Sequence, residues 1–531
     1  MPGFHVEHFG CRAARADGEA VSDRLRAAGL CERQPRTADV VVVNTCSVTA
    51  EADRAARAFI RRTHRSNPEA RIVVTGCYAQ RAPQELAGMD GVAAVVGNSH
   101  KSLTPQIVLG LAPQVVGTEG FVRVQSLLKR DNAPGQAPIW VDDRFAHSFI
   151  EEAQLTPGVQ TRPNLKIQEG CGNRCTFCVI PQTRGSSRSL PAESILKQVE
   201  GFVAAGGNEL VLSGINLGRW GRDLSEQPGS SRRVTARNER AASPTKSSVP
   251  HPSAVSSRMG GKPQLSNSLV HEESLVAGNT ARSSLAGLVR QIIEHTSLAR
   301  LRLSSIEPMD WDEELIGLMA EFGGIRLARH AHLPLQSGSD AVLRRMHRRY
   351  RPWHYAEKVH ALIQAAGPEL TVGADLMVGF PGETDAEFEE TLELVRALPF
   401  GYLHLFAFSP RPGTRAWALH AERPVAAATV EERMAALRAL AAEKSLAHRG
   451  WFVGRELEAI TLHTPAELES KGRTAALAEN FLPIELEGRL AANRLVRVRV
   501  IGSNAEGVLE AALAEAALEA ISKTGFERAR L

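Results

Sequence analysis

Cys171, Cys175 and Cys178 fall in a Cys-x3-Cys-x2-Cys spacing within the stretch KIQEGCGNRCTFCVIPQTRG, residues 166–185. Three thiolates so close together can close on one metal centre. Structural zinc sites usually present cysteines as two separated pairs, or as one pair with histidines, whereas iron–sulfur clusters are normally held by four thiolates. With three thiolates and no adjacent fourth, a 4Fe–4S cluster would keep one iron open, the position a metal centre needs to bind substrate. A structural zinc loop, or three unrelated thiols, are the other readings of this spacing.

The elements around the remaining cysteines bring out a second group. Residues 4–111 alternate short β-branched runs (4–9, 40–44, 71–75 and 92–96) with helix-like stretches (19–28, 50–65 and 83–87), the pattern of an open parallel α/β sheet. Thr49 is a natural cap for the second helix. Cys11, Cys46 and Cys77 each lie about two residues past a strand, so all three gather at the carboxyl rim of the sheet, where such sheets bind ligands. Cys31 follows a helix, belongs at the opposite rim and reads as an ordinary small apolar residue.

Length and composition bound what the rest can be. A chain of 531 residues should hold about three domains. A net charge of +4, from 63 Lys and Arg against 59 Asp and Glu, makes no global case for a nucleic-acid partner, so local patches must make it. Seven cysteines are too few for a disulfide framework in a chain this long and suit metal ligation in a reducing compartment. No apolar run is long enough to span a membrane and the first residues lack a signal-peptide core, so the expectation is a cytoplasmic protein with no membrane partner.

Beyond residue 162, strand-like runs at 165–168, 210–213, 301–304, 329–335, 372–378 and 402–408 alternate with helix-like ones. Six repeats, where a closed barrel has eight, predict a partial (β/α)6 barrel with the cysteine loop at its carboxyl face. Residues 225–282, rich in Ser, Pro, Arg and Gly, predict a disordered insertion. Strand-like runs at 456–463, 474–479, 484–487 and 495–501 predict a small C-terminal β-barrel, and the Ala/Glu-rich tail from residue 512 a helix. The domains are therefore read as 1–112, a connector 113–162 with at most one strand, 163–420, a linker helix 430–448 and 451–510. Two basic regions stand out. Most of Arg54, Arg57, Arg61, Arg62 and Arg65 fall on one helix face, and Arg344, Arg345, Arg348, Arg349 and Arg351 interleave with Tyr350 and Trp353. Arginines neutralise phosphates and aromatic rings stack on unpaired bases, so the second patch is the RNA-binding candidate; a solvated basic loop is the plain alternative.

The words FGCRAARADGEA, VVVNTCSVTAEADRAAR and VVTGCYAQRAPQE, with the cysteine loop of 166–185, resemble the methylthiotransferase branch of the radical S-adenosylmethionine (SAM) superfamily. The resemblance implies two 4Fe–4S clusters, one on Cys171, Cys175 and Cys178 that binds SAM and generates a radical, and an auxiliary one on Cys11, Cys46 and Cys77 that supplies sulfur. It also implies SAM contacts at turns around successive strands: Gly207 and Glu209 in GGNE, Ser305 in SSIEP, Gln336 and Ser337 in LQSGS, and Gly379 in VGFPGET. The C-terminal barrel resembles the RNA-holding TRAM domain. The expected partners are tRNA and an unidentified electron donor. NTCSVT, SSIEP and GRWGRDL resemble the branch that modifies C2 of threonylcarbamoyl-adenosine next to the anticodon; other branches act on isopentenyl-adenosine in tRNA or on a ribosomal-protein aspartate. Ala14-Arg15 departs from the Asn-Gln pair common in the family. A non-catalytic iron–sulfur electron carrier or RNA-binding protein is the alternative of another class, and it predicts no SAM turnover.

Overall fold

The computed structural model describes residues 1–113, 136–143, 145, 150, 155, 161–224, 283–504 and 506–514. Most of the connector, the insertion 225–282 and the tail from 515 lie outside the described residues. The first sheet is parallel, in the order β2-β1-β3-β4-β5-β6, from β1 (Gly3–His8), β2 (Cys31–Glu32), β3 (Val40–Thr45), β4 (Arg71–Gly76), β5 (Val92–Gly97) and β6 (Ile139–Trp140). The uninterrupted valines of β3 follow from burial on both faces. Val40 and Val42 pack into one apolar cluster, and Val41 and Val43 into the other. β6 lies in the segment read as a connector.

The first helix, Arg12–Ala27, begins directly after Cys11, where the sequence suggested a later start. Gly18, which argues against a helix interior, is present because the helix lies close on the sheet. A Cβ there would stand 2.2 Å from the His8 ring and 2.9 Å from the Asn44 amide. The second helix, Ala50–Ser66, starts where expected, with the Thr49 hydroxyl accepting from the Ala52 amide.

The barrel strands are β7 (Asn164–Glu169), β9 (Glu209–Gly214), β10 (Arg300–Leu303), β11 (His330–His332), β12 (Thr371–Val378) and β13 (Phe400–Ala407), with the short antiparallel β8 (Arg188–Ser189) beside β7. They form two arcs, β10-β9-β7-β8 and β11-β12-β13, joined at an isolated bridge between Leu301 and Leu327. Among the described residues no ladder joins β13 to β7, so the barrel is open, as six repeats predict. Leu165, Ile167, Leu210, Leu212, Leu301, Leu303, Ala374 and Leu376 pack outward against helices. Alternate positions carry Lys166, Gln168, Ser213, Arg302, His332, Asp375 and His404, which gives a polar lumen in place of the aliphatic layers that fill a closed barrel. Thr384 proves to be a helix cap, in a reciprocal capping box with Glu387.

The last unit closes as β14-β15-β16-β18-β17, from β14 (Glu456–Thr461), β15 (Arg473–Ala478), β16 (Pro483–Glu487), β17 (Leu495–Ser503) and β18 (Leu509–Leu513). β18 falls where the tail helix was expected to begin; it completes a closed barrel and leaves no free edge. This unit meets the amino ends of the large barrel's strands. Arg329 Nε donates to Glu479 (2.8 Å), Asn208 Nδ2 to the Asn493 carbonyl (2.9 Å), and the Phe481 ring lies 4.4 Å from that of His330.

Candidate metal centres

β1, β3 and β4 are parallel, and Cys11, Cys46 and Cys77 follow their carboxyl ends, so the sheet itself collects the three thiols. Cys11 is exposed, while Cys46 and Cys77 are buried. Gly10 has φ 118°, and a Cβ there would lie 2.2 Å from Cys46 Cβ, so only glycine lets the Cys11 turn close over Cys46. Cys77 Sγ accepts from Asn98 Nδ2 (3.3 Å) and Arg184 Nε (3.1 Å). Burial, then the neighbouring Cys11 and Cys77, push the free Cys46 thiol up to about 12, so metal must displace protons here. Cys31 is exposed and pairs beside Gly3 at the amino end of β1, on the opposite rim.

The other triad sits in the loop after β7. Cys171 N–H donates to the Gly185 carbonyl (3.0 Å) and Cys178 N–H to that of Cys175 (3.2 Å), which curls the loop. Its sulfurs accept hydrogen bonds: Cys171 from Asn173 N–H (3.4 Å) and Asn216 Nδ2 (3.6 Å), and Cys175 from Arg348 Nη1 (3.4 Å). Burial raises the free Cys178 thiol to about 12. Among the described residues, neither triad has its sulfurs all within 4.8 Å of one another. Thiolates on one tetrahedral zinc stand roughly 3.8 Å apart, so the wider spacing and the N–H donors fit a cluster better than a single zinc ion.

A buried charge network joins the two triads. Arg184 lies on the return of the Cys171–Cys178 loop, fully buried, and its Nη1 reaches Asp17 (3.0 Å) in the first helix and Glu169 (2.7 Å) at the end of β7. Lys101 and Lys166 also pair with both carboxylates. Despite burial, Arg184, Lys101 and Lys166 hold the Glu169 carboxyl well below its usual range. Three basic side chains face two carboxylates, although burial lowers the Lys101 pKa, and the positive Arg184 guanidinium lies against Cys77. An anionic thiolate-bound cluster balances that charge, so the residues present fit such a group.

The SAM-contact candidates divide. Gly207 and Glu209 do not reach the cysteine loop. They stand at the amino end of β9, the rim opposite the cysteines, where the Phe202 ring crowds Gly207 and Glu209 pairs with Arg300 (3.2 Å) and Arg302 (2.9 Å). Ser337 is also removed: it is buried, with its Oγ 3.2 Å from Thr391 Oγ1 of the outer helix Asp385–Ala397. Ser305, Gln336 and Gly379 do lie beyond the carboxyl ends of β10, β11 and β12, the cysteine rim. Gln336 is held there at φ 65° by its N–H to the Asp375 carbonyl (2.7 Å), and Gly379 N–H donates to Glu383 (2.8 Å). Asn216, just past β9, and Arg348 touch the cysteine sulfurs; Asn216 was not singled out in the sequence, being one polar residue in an ordinary turn, and Arg348 was expected at RNA within its arginine run, not at a cysteine.

The basic patch also divides. Tyr350 is fully buried and its hydroxyl donates to the Pro334 and Leu335 carbonyls, both at 2.7 Å, so it cannot stack on a base. Arg348 is buried between Cys175 and Glu307 (2.6 Å), Arg345 grips Glu387 through two 2.7 Å bonds, and Arg351 pairs with Asp340 (3.1 Å). Arg344, Arg349 and Trp353 are exposed, with Arg344 paired to Asp340 (2.8 Å) and Arg349 to Asp310 (3.1 Å) from the surface. At the departure from the family, Ala14 is buried with its carbonyl accepting from the Asn44 amide, and exposed Arg15 pairs with Glu19 (2.9 Å). No helix among the described residues is long and apolar enough to cross a membrane.

Residues 3–97 match the Uncharacterized protein family UPF0004 and residues 268–395 the Radical SAM superfamily. The chain is 30% identical to the threonylcarbamoyladenosine tRNA methylthiotransferase MtaB of Bacillus subtilis, over 94% of this chain and 93% of that one. The Aquifex aeolicus protein of the same name is also 30% identical, over 93% and 99%. The tRNA-2-methylthio-N(6)-dimethylallyladenosine synthase of Sorangium cellulosum is 32% identical, over 80% and 75%. Among solved structures, the radical SAM methyltransferase TsrM from Kitasatospora setae aligns with a TM-score of 0.46 at 14% identity, over 80% of this chain and 78% of that one. Relatives matched over nearly their whole length at this identity make the chain a member of the radical SAM methylthiotransferase family.

Proposed function

We propose that the protein methylthiolates C2 of threonylcarbamoyl-adenosine next to the anticodon of tRNA, with one 4Fe–4S cluster on Cys171, Cys175 and Cys178 and a second on Cys11, Cys46 and Cys77. The observation that carries this reading is Arg184, which leaves the first cysteine loop and donates to Cys77 of the second triad, tying the two centres together. When bound, the clusters and SAM supply radical formation and sulfur. The chain supplies position and polarity. Asn173, Asn216 and Arg348 hold the sulfurs of one triad, and Asn98 and Arg184 hold Cys77 of the other. Ser305, Gln336 and Gly379 are the SAM contacts we retain, because they share the rim of the cysteine loop. The first helix packs along β7 and β9 and ties the N-terminal sheet to the barrel. For tRNA, exposed Arg344, Arg349 and Trp353, with Arg497 and Arg499 on β17, offer phosphate and stacking contacts.

The substrate assignment rests on the relatives that carry the threonylcarbamoyl name; relatives named for dimethylallyladenosine reach similar identity. Mass spectrometry of tRNA nucleosides from a deletion strain separates them. Loss of the methylthio-threonylcarbamoyl species is expected, and loss of the isopentenyl species alone would overturn the assignment. In reconstituted protein, Cys171→Ala should abolish reductive cleavage of SAM, whereas Cys46→Ala should spare cleavage and stop methylthiolation. Retained methylthiolation in Cys46→Ala would refute the second cluster.

A further inference from the structure

Three neighbouring strands bring His332 (β11), Asp375 (β12) and His404 (β13) together on the lumen side of the barrel, apart from both cysteine triads. Their ligand atoms all lie within 4.8 Å of one another, and no other group of three or more His, Cys, Asp or Glu among the described residues does so. His332 Nε2 is 3.1 Å and His404 Nδ1 3.2 Å from the same oxygen, Asp375 Oδ1. Nitrogen and oxygen ligands bound at zinc-like lengths around a tetrahedron are roughly 3.3 Å apart, so these side chains already stand near the edges of a coordination polyhedron. Asp375 supplies the carboxylate and the two imidazoles the neutral nitrogen donors of a cation site.

The surroundings meet the other requirements of a metal site. The Tyr402 hydroxyl lies 2.9 Å from His332 Nδ1, which orients the ring with Nε2 towards Asp375, as outer-shell partners of metal-bound histidines do. Tyr402 is itself fixed by His330 Nε2 at 2.8 Å. Exposure rises across the triad, from 8% for the His332 side chain to 24% for Asp375 and 53% for His404, so the site has a closed floor and an entry.

We propose that His332, Asp375 and His404 bind one divalent first-row transition-metal ion of the zinc or iron(II) type. Two imidazoles and one carboxylate are the donor set for such ions, and three protein ligands leave positions open for an oxygen or nitrogen donor entering the lumen. The site stands independently of the proposed substrate.

The test uses the full chain with its clusters loaded, so that the six cluster cysteines are occupied, and with Cys31→Ala to remove the exposed thiol. After incubation with zinc(II) and desalting, zinc and iron are measured by mass spectrometry. One zinc per chain is expected, lost in both His404→Ala and Asp375→Asn while iron is unchanged. Tyr402→Phe should weaken zinc binding by at least about tenfold. His404 is half exposed, so its truncation leaves the core packed, and unchanged iron confirms the fold in each variant. No zinc retained by the starting protein, or equal zinc in His404→Ala and Asp375→Asn, overturns the proposal.

Discussion

Arg184→Met tests the join between the two triads. The guanidinium is fully buried and donates to Asp17, Glu169 and Cys77 Sγ. Removing one partner of a buried ion pair typically costs about 3–5 kcal/mol. Here Lys101 and Lys166 still neutralise Asp17 and Glu169, so the loss falls at the lower end, about 3 kcal/mol. The affected element is the helix Arg12–Ala27, which carries Asp17 and packs on β7 and β9. Its opening free energy is read by amide hydrogen exchange of residues 12–27, where 3 kcal/mol corresponds to faster exchange on the order of a hundredfold. Arg184→Lys keeps the charge but loses the fork that spans three acceptors, so it should fall in between. Exchange in Arg184→Met within about threefold of the parent protein would show that the network does not hold the first helix to the barrel, and the reasoning would fail.

Gly10→Ala places a Cβ against Cys46 at a positive φ, and should lose the iron held by Cys11, Cys46 and Cys77 while SAM cleavage persists; full iron content would contradict the close approach. Tyr350→Phe strands the Pro334 carbonyl, while that of Leu335 keeps the Ser337 N–H, and should cost about 1–3 kcal/mol in urea unfolding without altering the salt dependence of tRNA binding. Arg344→Ala and Arg349→Ala should each lower the slope of log affinity against log salt by about one, and an unchanged slope removes them from the interface. His448 is held neutral, its pKa lowered to about 4 by burial and then by Arg449. The unfolded chain therefore binds more protons between about pH 6.5 and 4, so stability is full above that window and falls by about 2–3 kcal/mol as pH drops through it. His448→Asn should flatten that acid limb, and an unchanged limb in calorimetry would assign the loss to other groups.

What the chain declared in one dimension was what repeats locally. The four strands expected in the N-terminal sheet fall within one residue of their positions, though the two-residue β2 was not foreseen, because β-branched runs and turns carry a local signal, and parallel strands then put Cys11, Cys46 and Cys77 on one rim. Six alternating repeats likewise implied an open barrel with its cysteine loop at the carboxyl face. The errors came where a local word was given a partner. GGNE precedes β9, so strand direction sends Gly207 and Glu209 to the amino rim, against Arg300 and Arg302. The arginine run around Tyr350 looked uniform, yet chain folding buried Tyr350 and Arg348 and exposed Arg344 and Arg349. The first helix was expected from residue 19 and starts at Arg12, and contact with His8 and Asn44 explains the Gly18 it contains. Sequence spacing thus determined which residues could bind metal and which rim of the N-terminal sheet would carry three of them. Tertiary structure alone decided that Arg184 spans the two triads and that His332, Asp375 and His404 share one oxygen, because those contacts join residues distant in the chain and depend on strand order and on how the lobes pack.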